Sequence, residues 1–206
     1  MAQAAGILMP QARLFETRTG RRCFGVERFD RVASKEPGAA TERRHVHTLG
    51  GLLHASHREF GATYGHYLDA AWNLTRDHRV VLQAFRRMVF NVLAHNRDDH
   101  VKNVSFLMEP DGVWRLAPAY DLMYTAGPRG EHSMMIDTEG ARPTLANFLH
   151  VASAATISDA EALAVIDEVA EAVGGWRAFA SAVDVPTRTR NRIALALKRV
   201  RDHALG

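Results

Sequence analysis

The sequence predicts an α+β fold in which helices dominate. A long amphipathic pattern begins near Asp77, with apolar residues recurring every three or four positions, as on one face of a helix. Two short apolar runs are joined by the EPDG segment at 109–112, which is a strong signal for a β-hairpin turn. The last third of the chain is mainly helical in pattern, and Ser158 and Glu161 there have the spacing of a capping box.

The composition is that of a globular protein without disulfide bonds. Of its 206 residues 47 % are hydrophobic and 24 % charged, which suits one domain or two small lobes. No apolar run is long enough to cross a bilayer, and the opening MAQAAGILMPQAR lacks the pattern of a secretory signal, so we expect no membrane contact. The single cysteine, Cys23, fits a reducing cytoplasm and is expected to be a buried small side chain. A net charge of +3 is mild and permits contact with phosphates or an acidic partner.

The first thirty residues predict the end of a helix near Ala5-Gly6, followed by a β-hairpin. Two extended runs, over 12–17 and 22–30, flank a turn in which Gly20 can take a positive φ. Two strands alone are marginally stable, so this hairpin is expected to need more sheet or a helical body to pack on. Pro, Gly and small residues over 34–41 predict a loop, and the basic, histidine-rich stretch after it shows no clear pattern.

The middle of the chain predicts one long helix followed by a hairpin. The helix extends from about Asp77 to His95, where polar residues take over. Two strands, over 104–108 and 113–117, follow it on either side of the EPDG turn. The residues that form the apolar face of the helix are Val81, Phe85, Met88 and Val92.

The last third predicts two further helices. Ser158 caps the first, which ends at the glycines of 174–175, and the second covers about 186–203. Trp114 and Trp176 are expected to pack in the core or between lobes. The residues expected to point inward are Leu163, Ile166, Val169, Ala170 and Val173 in the first helix, and Ile193, Leu197 and Val200 in the second.

The segment HNRDDHVKN, residues 95–103, is the densest polar cluster of the sequence. A polar surface loop is common, but this one lies between a buried helix and an apolar strand. Asn103 directly precedes the first strand of the hairpin, and Asp121 lies four residues after the second. Because antiparallel pairing brings the open ends of a hairpin together, Asn103 and Asp121 are expected to be neighbours, with Asp98 on the loop entering the same end.

Two carboxylates beside an amide oxygen are suited to phosphoryl transfer onto a hydroxyl. Mg²⁺ prefers hard oxygen ligands, few of them carboxylates, and completes its shell with water and nucleotide phosphates. A carboxylate kept off the metal can orient the acceptor hydroxyl and take its proton. The spacing Asp-x-x-x-x-Asn is that of the protein-kinase catalytic loop, and it selects Asp98 rather than the adjacent Asp99.

These segments resemble a known family. HNRDDHVKNVSFL, then WRLAPAYDL, then a helical tail, are similar to the carboxy-terminal region of HipA-type serine/threonine kinases, the toxins of a bacterial toxin–antitoxin system. The VERFDR segment at 26–31 resembles the part of that family that joins the two lobes and touches adenine. The resemblance implies a protein-kinase-like fold, with residues 1–31 as a remnant of the small lobe and hinge and residues 32–206 as the mostly helical catalytic lobe.

The resemblance also implies roles for single residues in an ATP- and Mg²⁺-dependent reaction. Asp98 would be the catalytic base, and Asn103 and Asp121 would hold Mg²⁺. Lys102 and His100 would line the phosphate and metal region.

Further expectations concern the nucleotide and the partners. The backbone of Glu27 and Phe29 would contact the adenine of ATP. The family implies transfer to a protein serine or threonine, including one on an aminoacyl-tRNA synthetase that charges glutamate. It also implies restraint by a helix-turn-helix antitoxin similar to HipB, and contact with operator DNA through that antitoxin.

The sequence departs from the family at its start. No Gly-rich loop opens the chain, and no lysine precedes Lys35, so the groups that hold the ATP phosphates in complete members are missing. Three explanations stay open: a split kinase completed by a separate chain, a truncated gene, or a non-catalytic module that binds an antitoxin or partner chain. We expect weak or no activity from this chain alone, because losing one such electrostatic group can cost about 10²–10³ in rate.

Two other features allow alternative interpretations. His95, Asp98, Asp99 and His100 could be metal ligands of a hydrolase, but no H-E-x-x-H or Cys/His spacing accompanies them. The basic face of the last helix is by default solvated, and contact with DNA or an antitoxin is the alternative. That face consists of Arg188, Arg190, Arg192, Lys198, Arg199 and Arg201.

Overall fold

A computed structural model of the chain describes residues 1–32, 40–56 and 61–206. Its fold is α+β, as predicted. The strands are β1 (Ala12–Glu16), β2 (Arg22–Val26), β3 (Arg31–Val32), β4 (Glu42–Arg43), β5 (His45–Thr48), β6 (Ser105–Met108) and β7 (Trp114–Leu116). The helices are α1 (Leu49–Leu52), α2 (Tyr64–Thr75), α3 (His78–Leu93), α4 (Leu145–Ala154), α5 (Asp159–Gly174), α6 (Trp176–Ala182) and α7 (Thr187–Leu205). The loop predicted over 34–41 lies almost wholly outside the described residues.

The amino-terminal hairpin is confirmed, although its second strand is shorter than predicted. β1 and β2 are antiparallel, with Leu14 opposite Phe24, and Gly20 in the turn has φ +76°. The predicted helix end is instead a hydrogen-bonded turn, in which the Ala5 amide donates to the Met1 carbonyl at 2.9 Å. The prediction that Cys23 is buried is wrong, because the ribbon remains two-stranded in the described part of the chain and leaves its side chains exposed.

The predicted central hairpin is confirmed and belongs to a larger sheet. β6 and β7 pair antiparallel, with Phe106 opposite Leu116. β5 pairs with the other edge of β6, so the sheet order is β5–β6–β7. β5 comes from the histidine-rich stretch that shows no clear sequence pattern. Phe106 and Leu107 are both buried, so the central strand is covered on both faces.

Helix α3 is the centre of the helical body and is close to its predicted bounds. The Asp77 carboxylate caps it by accepting from the Arg79 amide at 2.9 Å. The helix packs against α2, α5 and α7, while α2 also contacts α4 and β7. The four residues of the predicted apolar face are all buried: Val81, Phe85, Met88 and Val92.

The carboxy-terminal helices also agree with the sequence, with one correction. Ser158 and Glu161 form the predicted capping box, and α5 ends at Gly174, beyond which α6 begins. Leu163 was expected to point inward but is 41 % exposed. The buried face of the helix instead passes through Ala162 and Val165, which leaves Leu163 at its margin. Of the described helices, none is long and apolar enough to span a membrane.

Candidate active site

The polar segment after α3 is a tightly folded loop. The chain leaves the helix through His95, which has φ +55°, and the Asn96 amide then donates to the Asn91 carbonyl at 2.8 Å. Asn96 also forms an isolated parallel bridge with Thr125. The reversal at His95 therefore directs the following residues across the end of the helix rather than onward into solvent.

Asp98, His100 and Asn103 lie together in this loop. The Asn103 side-chain amide donates to the backbone carbonyl of Asp98 at 2.9 Å, and its main-chain amide donates to the His100 carbonyl at 2.8 Å. His100 Nε2 lies 3.8 Å from Asp98 Oδ1, and the Asp98 side chain is 39 % exposed. Asp98 therefore presents a solvent-accessible carboxylate on a backbone that Asn103 holds in place. Lys102 is in the same loop, with its side chain exposed.

Tyr120 ties Asp121 to this loop at the open end of the central hairpin. Its hydroxyl donates to the Lys102 carbonyl at 2.6 Å and lies 2.6 Å from Ser105 Oγ. Burial raises the pKa of Tyr120, which keeps the hydroxyl protonated as a donor. The residues next to Asn103 and Asp121 are thus directly linked. Asp121 is exposed and has φ +55°, a conformation that Asp tolerates better than most residues.

The adjacent acid, Asp99, has a different environment. Its side chain is fully buried and accepts from the Tyr64 hydroxyl at 2.6 Å, from His132 Nδ1 at 2.7 Å and from the Ser133 amide at 2.7 Å. Burial, followed by the charge of Asp99, holds the pKa of Tyr64 well above its usual value, so the phenol stays a donor. The Asn91 amide donates to Tyr64 at 2.9 Å and so extends the network into α3. Asp99 thereby anchors the loop to α2 and to the 132–133 segment.

Sequence reasoning missed Tyr64 and His132, and it gave Tyr120 no role beyond the motif. One available signal was Asn91, a polar residue within the apolar pattern of α3 and 7 % exposed in the structure. A buried amide needs hydrogen-bond partners, so its position indicated a polar network without identifying the residues that complete it.

A close backbone contact supports the loop from the other side. The amides of Leu49 and Gly50, at the start of α1, donate to the carbonyls of Val104 and Val101 at 2.9 and 3.0 Å. A Cβ at position 50 would lie 2.9 Å from a Val101 methyl group, so this approach requires glycine. The loop is therefore held on three sides, by α1, by Tyr120 and by the Asp99 network.

The two residues expected to contact adenine are placed differently. The Phe29 ring lies 5.6 Å, centroid to centroid, from the ring of Tyr120, so the VERFDR segment reaches the side of the site that carries Asp121. Glu27 is exposed, and its backbone amide already donates to the Gln11 carbonyl at 2.8 Å. The Glu27 carbonyl is thus the backbone group that it has to offer a ligand.

The side-chain oxygens at this end of the hairpin are of the type that binds Mg²⁺. The nitrogen of the Asn103 side chain is used by Asp98, which leaves Oδ1 as the free acceptor of that amide. With the Asp121 carboxylate it gives two hard oxygen ligands, the type that Mg²⁺ takes when nucleotide phosphates complete its shell. The hydrolase alternative gains no support, since no group of three or more His, Cys, Asp or Glu in the described ranges could hold a metal.

Comparison with known proteins identifies the family. The family model for the HipA-like C-terminal domain matches residues 1–176. No curated protein matches the chain. Among solved structures, HipA of Shewanella oneidensis MR-1, in the complex of HipA, HipB and operator DNA, matches with a TM-score of 0.76 at 20 % identity. The match covers 98 % of this chain and 55 % of that one, so the chain spans about half of the HipA that it resembles. The chain belongs to the HipA family through a HipA-like C-terminal domain.

Proposed function

We propose that the chain is the catalytic region of a protein kinase that transfers the γ-phosphate of ATP to a protein serine or threonine. In this proposal Asp98 takes the proton of the acceptor hydroxyl. The observation that carries it is the Asn103 bond to the Asp98 carbonyl at 2.9 Å, which couples the amide of the proposed metal ligand to the backbone of a solvent-accessible carboxylate. Family membership supports the same assignment.

The metal and phosphates would be held on the side of the loop facing Asp121. Asn103 Oδ1 and the Asp121 carboxylate would bind Mg²⁺, which when bound neutralises charge on the phosphates. Lys102 is exposed beside them and can reach a phosphate oxygen. His100, whose Nε2 lies 3.8 Å from Asp98 Oδ1, can orient that carboxylate.

The adenine would lie along the VERFDR segment, near the Glu27 carbonyl and Phe29. The sequence of 206 residues contains no Gly-rich phosphate loop. Groups for the ATP phosphates would then come from further residues of the protein or from a separate chain that completes the small lobe. The exposed ribbon β1–β2 supports this, since Phe24 is 69 % and Leu14 49 % exposed on one face of a hairpin that is marginal alone.

A phosphotransfer assay tests the proposal. The chain, completed with the small-lobe residues of a HipA-family member, is incubated with γ-labelled Mg-ATP and a glutamate-charging aminoacyl-tRNA synthetase. We expect Asp98→Asn to reduce transfer by about 10²–10⁴-fold, the usual contribution of a general base. The matched control is Asp111→Asn, which removes a carboxylate from the exposed EPDG turn. Full activity in Asp98→Asn would contradict the assignment of the base.

The metal site has its own test. Asp121→Asn keeps a residue that tolerates positive φ and removes only the charge. We expect this variant to need a higher Mg²⁺ concentration for half-maximal transfer, with the fold unchanged by circular dichroism. An unchanged Mg²⁺ dependence would remove Asp121 from the metal site.

A second candidate is a non-catalytic module that binds a partner chain. An apolar groove of about 500 Å³ lies between the amino-terminal segment, β2 and helices α6 and α7, and Phe24, Met123 and Phe179 line it. The partner proposed here is a helix-turn-helix antitoxin similar to HipB, which could connect the chain to operator DNA. The module predicts tight antitoxin binding that Phe24→Ala weakens and the control Leu195→Ala, outside the groove, does not. Micromolar binding of Mg-ATP by this chain alone would instead contradict the incomplete nucleotide site.

A further inference from the structure

A cationic cleft lies beside the start of the loop of residues 95–103. It has a volume of about 170 Å³ and is formed by the end of α3, the segments around 132 and 142, and helix α7. No acidic side chain lines it in the described parts of the chain. Its polar lining consists of three arginines and three histidines: Arg97, Arg142, Arg199, His95, His132 and His203.

The three arginines have no carboxylate partner among the described residues. The Arg97 guanidinium donates to the carbonyls of Gly130 and Ala141, the latter at 2.6 Å, and its Nε is buried without a hydrogen-bond partner in that part of the chain. Burial lowers the pKa of Arg97 despite the longer-range attraction of Asp99 and Glu131. Other arginines of the fold are neutralised directly, as Arg86 is by Glu168 at 2.6 Å. The cleft thus groups three arginines that bind no carboxylate directly, while His132 of the same lining is bound to Asp99.

Two of the histidines are held close to the arginines of the cleft. His203 Nε2 donates to the Arg142 carbonyl at 3.0 Å, while its Nδ1 lies 3.1 Å from Arg142 Nη2 and must accept from it. Burial, followed by the charges of Arg97 and His132, lowers the pKa of His95 to about 4.

We propose that this cleft binds a phosphate-type oxyanion. A tetrahedral dianion can accept charge-assisted hydrogen bonds from several guanidinium groups, the geometry for which arginine is best suited. The volume of about 170 Å³ accommodates such an anion with some water. The same chemistry is offered by inorganic phosphate and by the phosphate ester of a modified side chain. The site is separate from Asp98 and does not depend on the proposed kinase activity.

A phosphate bound in the cleft would affect the loop of residues 95–103 through Arg97. This residue lies between Asn96 and Asp98, and its guanidinium already ties the loop to Gly130 and Ala141. An anion in the cleft would give the loop a further contact, through Arg97, with the other arginines of the cleft. The cleft therefore offers a route by which phosphate could stabilise the loop.

Calorimetric titration with inorganic phosphate at constant ionic strength tests the site. Arg199→Ala and Arg142→Ala each remove one exposed arginine of the cleft, and Arg192→Ala removes an exposed arginine of the same helix α7 outside it. We expect the first two to weaken phosphate binding about tenfold each, the effect of losing one charged hydrogen bond. Arg192→Ala should bind as the unchanged chain does. Equal losses in all three variants, or none in the first two, would overturn the proposal.

A second readout locates the anion and identifies its source. The ring signals of His203 in an NMR spectrum should shift on addition of phosphate, and N-acetyl-phosphoserine amide should displace it if an ester is accepted. Binding of phosphate without the ester limits the site to the free ion, whereas competition between them admits both sources. Binding of neither probe, with circular dichroism showing an intact fold, would refute the site.

Discussion

The substitution Asp99→Asn isolates the network that anchors the loop of residues 95–103. Oδ2 of Asp99 accepts from both Tyr64 and His132, and Oδ1 accepts from the Ser133 amide. Asparagine has only one acceptor oxygen, so its amide group must face at least one of these donors. The best orientation keeps the pair on Oδ2 and sets the new NH₂ against the Ser133 amide.

The cost can be worked from these contacts. One buried donor loses its acceptor, which costs about 1–3 kcal/mol, and the remaining bonds lose the charge that strengthened them. Hydrogen bonds to a charged group are worth about 1.5–3 kcal/mol each, and we expect a total loss of about 3–5 kcal/mol. That is a large part of the 5–15 kcal/mol by which domains are ordinarily stable. With a denaturant slope of about 2 kcal/mol/M, the midpoint of urea unfolding should fall by roughly 1.5–2.5 M.

The assay is urea unfolding at pH 7, with Asp98→Asn as the matched control. The two substitutions are chemically identical and one residue apart, but the Asp98 side chain is 39 % exposed, and its Oδ1 lies 3.8 Å from His100 Nε2. An exposed pair contributes about 0–1 kcal/mol, so the control should be nearly unchanged. Similar losses in both variants, or less than about 1 kcal/mol in Asp99→Asn, would refute the anchoring role.

Three further predictions follow from single features of the fold. Gly127 has φ +70°, and a Cβ there would lie 2.7 Å from the Arg97 Cβ. Gly127→Ala should therefore destabilise the fold more than the control Gly112→Ala, where φ is +85° but the space is open. Backbone strain alone costs about 1–3 kcal/mol in either variant, so equal shifts of the melting temperature would contradict the steric argument. Because burial lowers the pKa of His95 from 6.5 to about 4, the unfolded chain takes up a proton first, so stability should be lost as the pH falls from 6.5 towards 4. His95→Asn, which tolerates the φ of +55°, should reduce that loss in denaturation measured across this range, and an unchanged profile would count against it. Ser158→Ala should cost about 1 kcal/mol in urea unfolding by removing the α5 cap, and a neutral result would deny the capping box a role.

The elements that the sequence predicted are those whose determinants are local. The capping box of α5 needs only Ser158 and Glu161, three residues apart, and the 109–112 turn needs only Pro and Gly. Helix α3 shows its apolar face at every turn. In each case the residues that decide the structure lie within a few positions of one another, so no distant partner has to be known.

The elements that it did not predict depend on distant partners. Strand β5 is a histidine-containing run that becomes a strand because it pairs with the edge of β6, about sixty residues later in the chain. Helix α2 carries Tyr64 and Tyr67 fully buried, and polar aromatic residues give a weak helical pattern until the contacts that bury them are known. The opposite error was made for Cys23, which was predicted to be buried but is exposed, since no further layer covers its strand within the described residues.

The candidate site divides in the same manner. Hairpin geometry alone predicts that Asn103 and Asp121 share one end, and the structure places a direct link between their neighbours Lys102 and Tyr120. The partners of Asp99, by contrast, come from α2 and from the 132–133 segment, which no local spacing connects to it. Predicting them would have required the tertiary fold.

The two adjacent acids show why spacing could select between them. Asp98 and Asp99 are adjacent in the loop that follows the reversal at His95, yet the Asp99 side chain is fully buried and the Asp98 side chain is 39 % exposed. Asp99 accepts from three donors in a buried site, whereas Asp98 keeps the solvent access that an acceptor hydroxyl needs. The proposed base is thus held by a neighbour that cannot itself reach substrate. Asp98→Asn should therefore reduce phosphotransfer while leaving the free energy of unfolding unchanged, whereas Asp99→Asn should reduce the free energy of unfolding. A polar surface loop without a catalytic role would not separate the two effects in this way.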